Sequence, residues 1–211
     1  MESLPFLPTY TLTHHPTPPQ DPLFTSLYTL LKHNMYTLYI TSILSWPTKR
    51  KLHQMRLPRM QYLVLRYSSD DSSHNTVETQ SSDTRGLSTQ ADNESTNSDP
   101  LLAAFASFLP GTVHGVRVLY LYELQVSPSH QNRHLGEGLM WEVERRAVTG
   151  HRVEKVILTV FSANVSARRF YQRLGYELDA CSSKMPVGEE LPEPSFYILS
   201  KPVVTVERVE N

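Results

Sequence analysis

The sequence predicts an α/β fold in which a mixed, mostly antiparallel central sheet is flanked by helices. Three observations carry this expectation. Apolar residues recur at helical spacing early in the chain, short runs rich in β-branched and aromatic residues follow, and the second half alternates strand with helix. Helix, antiparallel strands, then strand–helix–strand–helix–strand–strand is the order of one sheet covered by helices. A length of 211 residues suits a single domain, with or without an appendage.

Residues 1–21 are rich in Pro and Thr, with one strand-like stretch around 9–13, and are set apart from a domain at 22–211. Residues 23–45 read as a helix, because Leu23, Leu27, Leu30, Leu31, Met35 and Leu38 share a face. A break is expected near His33 and Asn34, and Pro47 ends the pattern. A short basic stretch at 48–55 precedes a strand at 60–66. Residues 68–99 are almost entirely polar and carry a formal charge of −6, which leaves +5 on the rest of a chain whose total is −1. Such a segment cannot bury enough apolar surface to offset its chain entropy, so it is expected to be a disordered insertion between two strands.

The next strand is predicted at 101–109, followed by a turn at Pro110, Gly111 and Thr112. In the strand at 117–126, alternation puts Tyr120, Tyr122, Leu124 and Val126 on one face, and Leu119, Leu121, Glu123 and Gln125 on the other. A helix at 136–149 has an apolar stripe of Leu139, Met140, Val143 and Ala147, and Gly150 can end it. Then come a strand at 153–161, a helix at 164–174 closed by Gly175, a strand at 176–179, a polar loop and a last strand at 196–200.

Several classes are disfavoured. Cys181 is the only cysteine, so no intrachain disulfide forms, which suits a reducing compartment. Pro5, Pro8 and Pro16 interrupt the region where a signal peptide would need an apolar helix, and no apolar run reaches membrane length. These features lead to the expectation of a soluble intracellular protein without a membrane partner, and it is taken as a monomer of the nucleus and cytoplasm. The positive bias of the remainder suits a phosphate-bearing ligand and is too weak for nucleic acid. No His, Cys and carboxylate cluster suggests a metal.

The chemistry concentrates in two stretches. Val126, Pro128, Gln131, His134, Gly136 and Gly138 follow a strand and open a helix, whose unpaired N–H groups and positive dipole end can hold a pyrophosphate. The spacing resembles motif A of the GNAT acetyltransferases, V-x-P-x-x-[QR]-x-x-G-x-[GA], with His134 where the family has its first glycine. His134 either reaches a phosphate oxygen or is a surface histidine. The second stretch, from Leu158 through Asn164, Ala167, Phe170 and Tyr171 to Leu174, Gly175 and Tyr176, resembles motif B of the same family.

Further pieces narrow the likeness. Asn34, Met35, Thr37, Leu38 and Tyr39, then Trp46, the strand from Leu119 to Gln125, and the run from Ser195 to Ser200 are similar to the NatD family. The turn at 110–115 lacks the carboxylates of that family, and Phe196 and Tyr197 replace its Tyr-Glu pair.

The resemblance implies a GNAT fold whose sheet splays at an acetyl-CoA cleft, and acetyl transfer to the N-terminal amine of histone tails beginning Ser-Gly-Arg. It assigns cofactor contacts to Leu124, Val126, Gln131, Asn132, Arg133, His134, Leu135, Gly136, Glu137 and Asn164. Trp46, Tyr120 and Tyr197 fall to the substrate, and Glu123, Tyr122 and Tyr171 to catalysis. Glu123 has two readings, a general base or amine anchor and a structural salt bridge. Tyr171 is either a proton donor to sulfur or a packing residue. Two alternatives stay open: a GNAT enzyme for another N-terminus, a lysine or a small amine, and a CoA-binding scaffold without turnover.

Overall fold

The computed structural model describes residues 9–42, 45–68, 99, 101–182 and 195–203. Nearly all of the expected insertion, and most of the polar loop after residue 182, lie outside the described residues.

Seven strands form one sheet in the order β1-β2-β3-β4-β5-β7-β6. They are β1 (Tyr10–His15), β2 (Gln61–Tyr67), β3 (Leu102–Val113), β4 (Val116–Val126), β5 (Lys155–Phe161), β6 (Glu177–Leu178) and β7 (Phe196–Pro202). All pairs are antiparallel except β4 with β5. The helices are α1 (Leu23–Ile40), α2 (Thr48–Met55), α3 (Leu135–Thr149) and α4 (Val165–Arg173). The mixed α/β sheet expected from the sequence is present, and it reaches back to Tyr10 in the Pro/Thr-rich segment.

Strand alternation divides the core between two faces. Tyr62, Val64 and Phe105 pack under Phe24, Leu27 and Leu31 of α1 and Met55 of α2. Leu63, Leu65, Ala106 and Phe108 pack with Leu135, Leu139, Met140, Val143 and Ala147 of α3. Leu27, Leu31 and Leu139 are wholly buried, and burial of such a side chain stabilises the fold by about 1.5–3 kcal/mol.

Three local expectations are corrected. α1 runs unbroken from Leu23 to Ile40. Asn34 does not end it, because its side chain reaches across to β4, where Nδ2 donates to Gln125 Oε1 at 3.0 Å and to the Val126 carbonyl at 3.1 Å. The turn after β3 falls at His114 and Gly115, both with positive φ (47° and 83°), as the tightest hairpins require. Pro110 stays in the strand, where it pairs with Leu119 beyond the last β2 partner, Phe108, so no neighbour on that side needs its missing N–H.

The third correction positions the site. Ser107 pairs with Glu123 but Phe108 pairs with Leu121, so Tyr122 is an extra residue in β4, a β-bulge. A bulge shifts the alternation by one. Leu124 and Val126 therefore join Leu119 and Leu121 on the α3 side. Glu123 and Gln125 turn instead to α2 and α1. At the same point β4 leaves β5, since their parallel pairing ends at Leu121 with Leu158. β4 continues along β3 to Val126, and β5 along β7 to Phe161.

Candidate active site

The parted strands open two adjoining cavities. The larger, about 850 Å³, is lined by the end of β4, the loop at 130–134, the start of α3, one face of α4, and Asn34, Met35 and Leu38 of α1. The smaller, about 310 Å³, lies over the bulge between α1, α2, β4 and β5. Met35, Leu124, Gln125, Asn164, Ala167 and Tyr171 line both.

One end of the larger cavity suits an anion. Leu135, Gly136 and Glu137, in the first turn of α3, line it. N–H groups of a first helical turn have no intrahelical acceptor, and the helix dipole adds partial positive charge. The loop before α3 folds back through left-handed residues, Asn132 at φ 58° and His134 at φ 59°. The His134 position thus has the backbone shape that glycine adopts without strain, in keeping with the glycine at this place in the motif that the loop resembles. Arg169 and Arg173, spaced i,i+4 on α4, add two cations to the lining. At Gly136 a Cβ would sit 3.4 Å from Phe170 Cζ, so the start of α3 packs against α4. A long ligand with a diphosphate, such as acetyl-CoA, fits this length, charge and shape.

Asn164 caps α4: its Oδ1 accepts from the Ala167 N–H at 3.1 Å and the Ser166 hydroxyl at 3.2 Å. Its Oδ1 is thus engaged, and only Nδ2 remains to donate into the cleft.

The smaller cavity is aromatic, with Tyr39, Tyr120, Tyr122, Phe161 and Phe196 in its wall. Tyr120 and Thr159 share a hydroxyl hydrogen bond that ties β4 to β5 at the end of their paired stretch. Glu123 is buried, and its Oε1 accepts from Lys51 Nζ at 2.7 Å. Its Oε2 accepts from Gln125 Nε2 at 3.1 Å. Burial pulls the Lys51 ammonium toward deprotonation, yet the Glu123 charge and hydrogen bond, with Tyr39, outweigh it and raise its pKa above the ordinary lysine value. Burial, then the Glu123 charge, push the Tyr171 phenol well above its ordinary pKa. Tyr171 therefore stays protonated, and it stands where the two cavities meet.

Most of the sequence-predicted residues converge here. Leu124, Val126, Gln131, Asn132, His134, Leu135, Gly136, Glu137 and Asn164 line the larger cavity. Tyr120, Tyr122 and Glu123 line the smaller one, and Tyr171 lines both. Three do not converge. Arg133 turns its guanidinium outward to the Tyr10 hydroxyl, 3.3 Å from Nη1. Trp46 lies behind Tyr39, ring centroids 5.0 Å apart, and donates Nε1–H to the Tyr28 hydroxyl. Tyr39 is the residue that faces the cavity. Tyr197 lies under the Arg168 guanidinium at 4.8 Å, because the strand's alternation gives the cavity to Phe196 instead.

Sequence reasoning missed Tyr39, Lys51, Gln54, Phe196, Arg169 and Arg173. The i,i+4 spacing of the two arginines was a usable signal. Lys51 had none, since its partner lies 72 residues away. Both readings of Glu123 have a physical basis, because it is ion-paired and also lines the cavity. Among the described residues no cluster of His, Cys, Asp or Glu could hold a metal, and no helix is long and apolar enough to cross a membrane.

Comparison with known proteins agrees with this geometry. The yeast (Saccharomyces cerevisiae) protein named N-alpha-acetyltransferase 40 is 36% identical over 93 residues, 36% of this chain and 33% of its own length. The chain thus matches only about a third of that relative. Among solved structures, a GNAT-family acetyltransferase of Staphylococcus aureus superposes with a TM-score of 0.56 at 9% identity, over 92% of this chain and 99% of its own. Arabidopsis thaliana NAA60, solved with a bisubstrate analogue, gives 0.53 at 12% identity, over 92% and 100%. At such identities the likeness is one of fold. Residues 50–176 match the acetyltransferase (GNAT) family, and the chain belongs to that family.

Proposed function

We propose that this chain is an acetyl-CoA-dependent N-α-acetyltransferase acting on protein N-termini, with histone tails beginning Ser-Gly-Arg as its preferred substrates. The observation that carries the reading is the junction at Tyr171 and Leu124. There a long cleft with an anion-friendly end meets a short aromatic cavity holding a buried carboxylate, where β4 and β5 part. The named N-alpha-acetyltransferase relative supports an N-terminal amine as acceptor, and the likeness of residues 34–39 and 119–125 to the NatD family supports the histone tail.

Acetyl-CoA supplies an acetyl group as a thioester. The first-turn N–H groups of α3, with Arg169 and Arg173, hold its phosphates, and Leu124 and Val126 offer main-chain groups to its arm. The acceptor peptide enters the smaller cavity between Tyr39, Tyr120 and Tyr122. Glu123 takes the proton that the amine nitrogen sheds as its bond to the acetyl carbon forms. Tyr171, kept protonated by burial, delivers a proton to the departing sulfur. The β4 main chain beside the bulge is unpaired by β5 and free to donate to the developing oxyanion.

A second reading is favoured by one observation. The hairpin tip at His114 and Gly115 bears no carboxylate to attract a cationic tail, which suits an N-terminus other than the histone one. An acetyl-transfer panel decides: a Ser-Gly-Arg-Gly peptide, the same peptide with a blocked N-terminus, and N-terminal peptides without arginine. Transfer to the first only is the expected result. Equal transfer to all free N-termini favours the second reading, and transfer to the blocked peptide rejects both.

A further inference from the structure

The smaller cavity carries a charge balance that bears on which amines it admits. Among its described lining residues only Lys51 and Glu123 are charged, and they cancel. Both are nearly out of water, with side-chain exposures of 9% and 7%. Lys51 also donates to Gln54 Oε1 at 2.9 Å and sits 5.5 Å from the centre of the Tyr39 ring. The second oxygen of Glu123 is held by Gln125, which Asn34 fixes in turn. The other titratable groups facing the pair are phenols: Tyr39 of α1, Tyr62 of β2, Tyr122 of β4 and Tyr171 of α4. Arg56, which follows α2, lies over Phe24 instead, 4.2 Å from its ring centre.

We propose that Lys51 is a specificity residue: by neutralising Glu123 it leaves no spare negative charge in the acceptor cavity, so the acceptor amine enters uncharged and N-terminal amines are selected over lysine side chains. The proposal rests on the N-α-acetyltransferase reading above. An ammonium entering here would shed its water, meet the Lys51 cation and find no net counter-charge, a costly combination in a buried site. An α-amine has a pKa near 8 and a lysine near 10.4, so at neutral pH the uncharged fraction differs by roughly 200-fold. A cavity that takes only uncharged amines inherits that factor. The proton count still closes: the neutral amine gives one proton to Glu123 as the N–C bond forms, and sulfur receives one from Tyr171.

The test measures binding of a Ser-Gly-Arg-Gly peptide to protein saturated with CoA, from about pH 6.5 to 8.5, the range in which the α-amine titrates. His130 and His134 line the larger cavity, which CoA occupies in every arm. For the wild type, affinity should tighten roughly 20-fold across the range, following the uncharged amine. The same peptide lacking its amino group should bind without that dependence. Lys51→Arg should behave as the wild type. Lys51→Met leaves Glu123 free to receive an ammonium, so the dependence should flatten or reverse. Its ratio of kcat/KM for N-terminal over lysine peptides should fall about tenfold, in line with the loss of a paired charge.

Wild-type binding that is flat or weakens with rising pH overturns the proposal. So does a Lys51→Met variant that binds CoA normally and keeps the wild-type dependence and ratio. If that variant does not fold, the amine-free peptide and Lys51→Arg arms decide. Absence of acetyl transfer from the wild type to any N-terminus is a different failure, that of the functional reading itself.

Discussion

Lys51 Nζ lies 2.7 Å from Glu123 Oε1, an ion pair that joins α2 to the bulge of β4 inside the smaller cavity. Removing its negative member has two separable consequences. Glu123→Gln should lower turnover about 100-fold or more, the usual worth of a positioned base. CoA affinity should hold, because Glu123 does not line the larger cavity. The stranded ammonium should also cost about 3–5 kcal/mol of stability. A denaturant melt reads the stability loss and steady-state kinetics the turnover loss, while a loss of CoA binding in a calorimetric titration would count against the assignment.

Tyr171→Phe removes one hydroxyl and keeps a ring packed against Phe170 and Tyr176, at centroid distances of 5.2 and 5.8 Å. Turnover should fall about 10- to 100-fold with CoA affinity intact. Because the phenol stays protonated over any practical assay range, the pH–rate profile should keep its shape. A variant with full activity would assign Tyr171 to packing.

The sequence carried the sheet, its helices and most of the cleft, because a period of two or 3.6 and a glycine at a helix start are local signals. The bulge at Tyr122 was not legible, since an inserted residue leaves a strand's composition unchanged while it moves every later side chain to the other face. Strict alternation therefore grouped Glu123 with Leu119 and Leu121, whereas it faces α2. Trp46 turns to Tyr28 and Tyr39 and away from the cavity, and it lies outside any helical or strand period from which its direction could be read. Glu123 was found, but the positive charge that neutralises it was not.

His134 holds a left-handed backbone (φ 59°) with an exposed side chain whose Nδ1 lies 3.0 Å from Glu137 Oε2. Left-handed geometry costs a non-glycine residue about 1–2 kcal/mol, and glycine's extra chain entropy returns part of it. His134→Gly should thus stabilise the protein by about 0.5 kcal/mol or more. A denaturant midpoint that falls would show that the Glu137 contact outweighs the strain.

Acid stability should depend on Asp179. Burial opposes its charge, but hydrogen bonds from Lys155, Ser200 and the Cys181 N–H outweigh burial and hold its carboxyl well below the usual range. A depressed folded pKa gives stability that is full above the unfolded value, near 3.9, and is lost as pH falls below it. Asp179→Asn should be less stable than the wild type at neutral pH and converge with it in strong acid. Parallel stability curves down to pH about 2 would contradict this.

Transfer to an N-terminal amine is the reaction on which the proposed function stands. Its most direct test is tandem mass spectrometry of a Ser-Gly-Arg-Gly-Lys peptide after incubation with the protein and acetyl-CoA. The expected product carries an acetyl group on the serine α-amine and none on the lysine. Acetylation of the lysine with a free α-amine left behind would contradict that function.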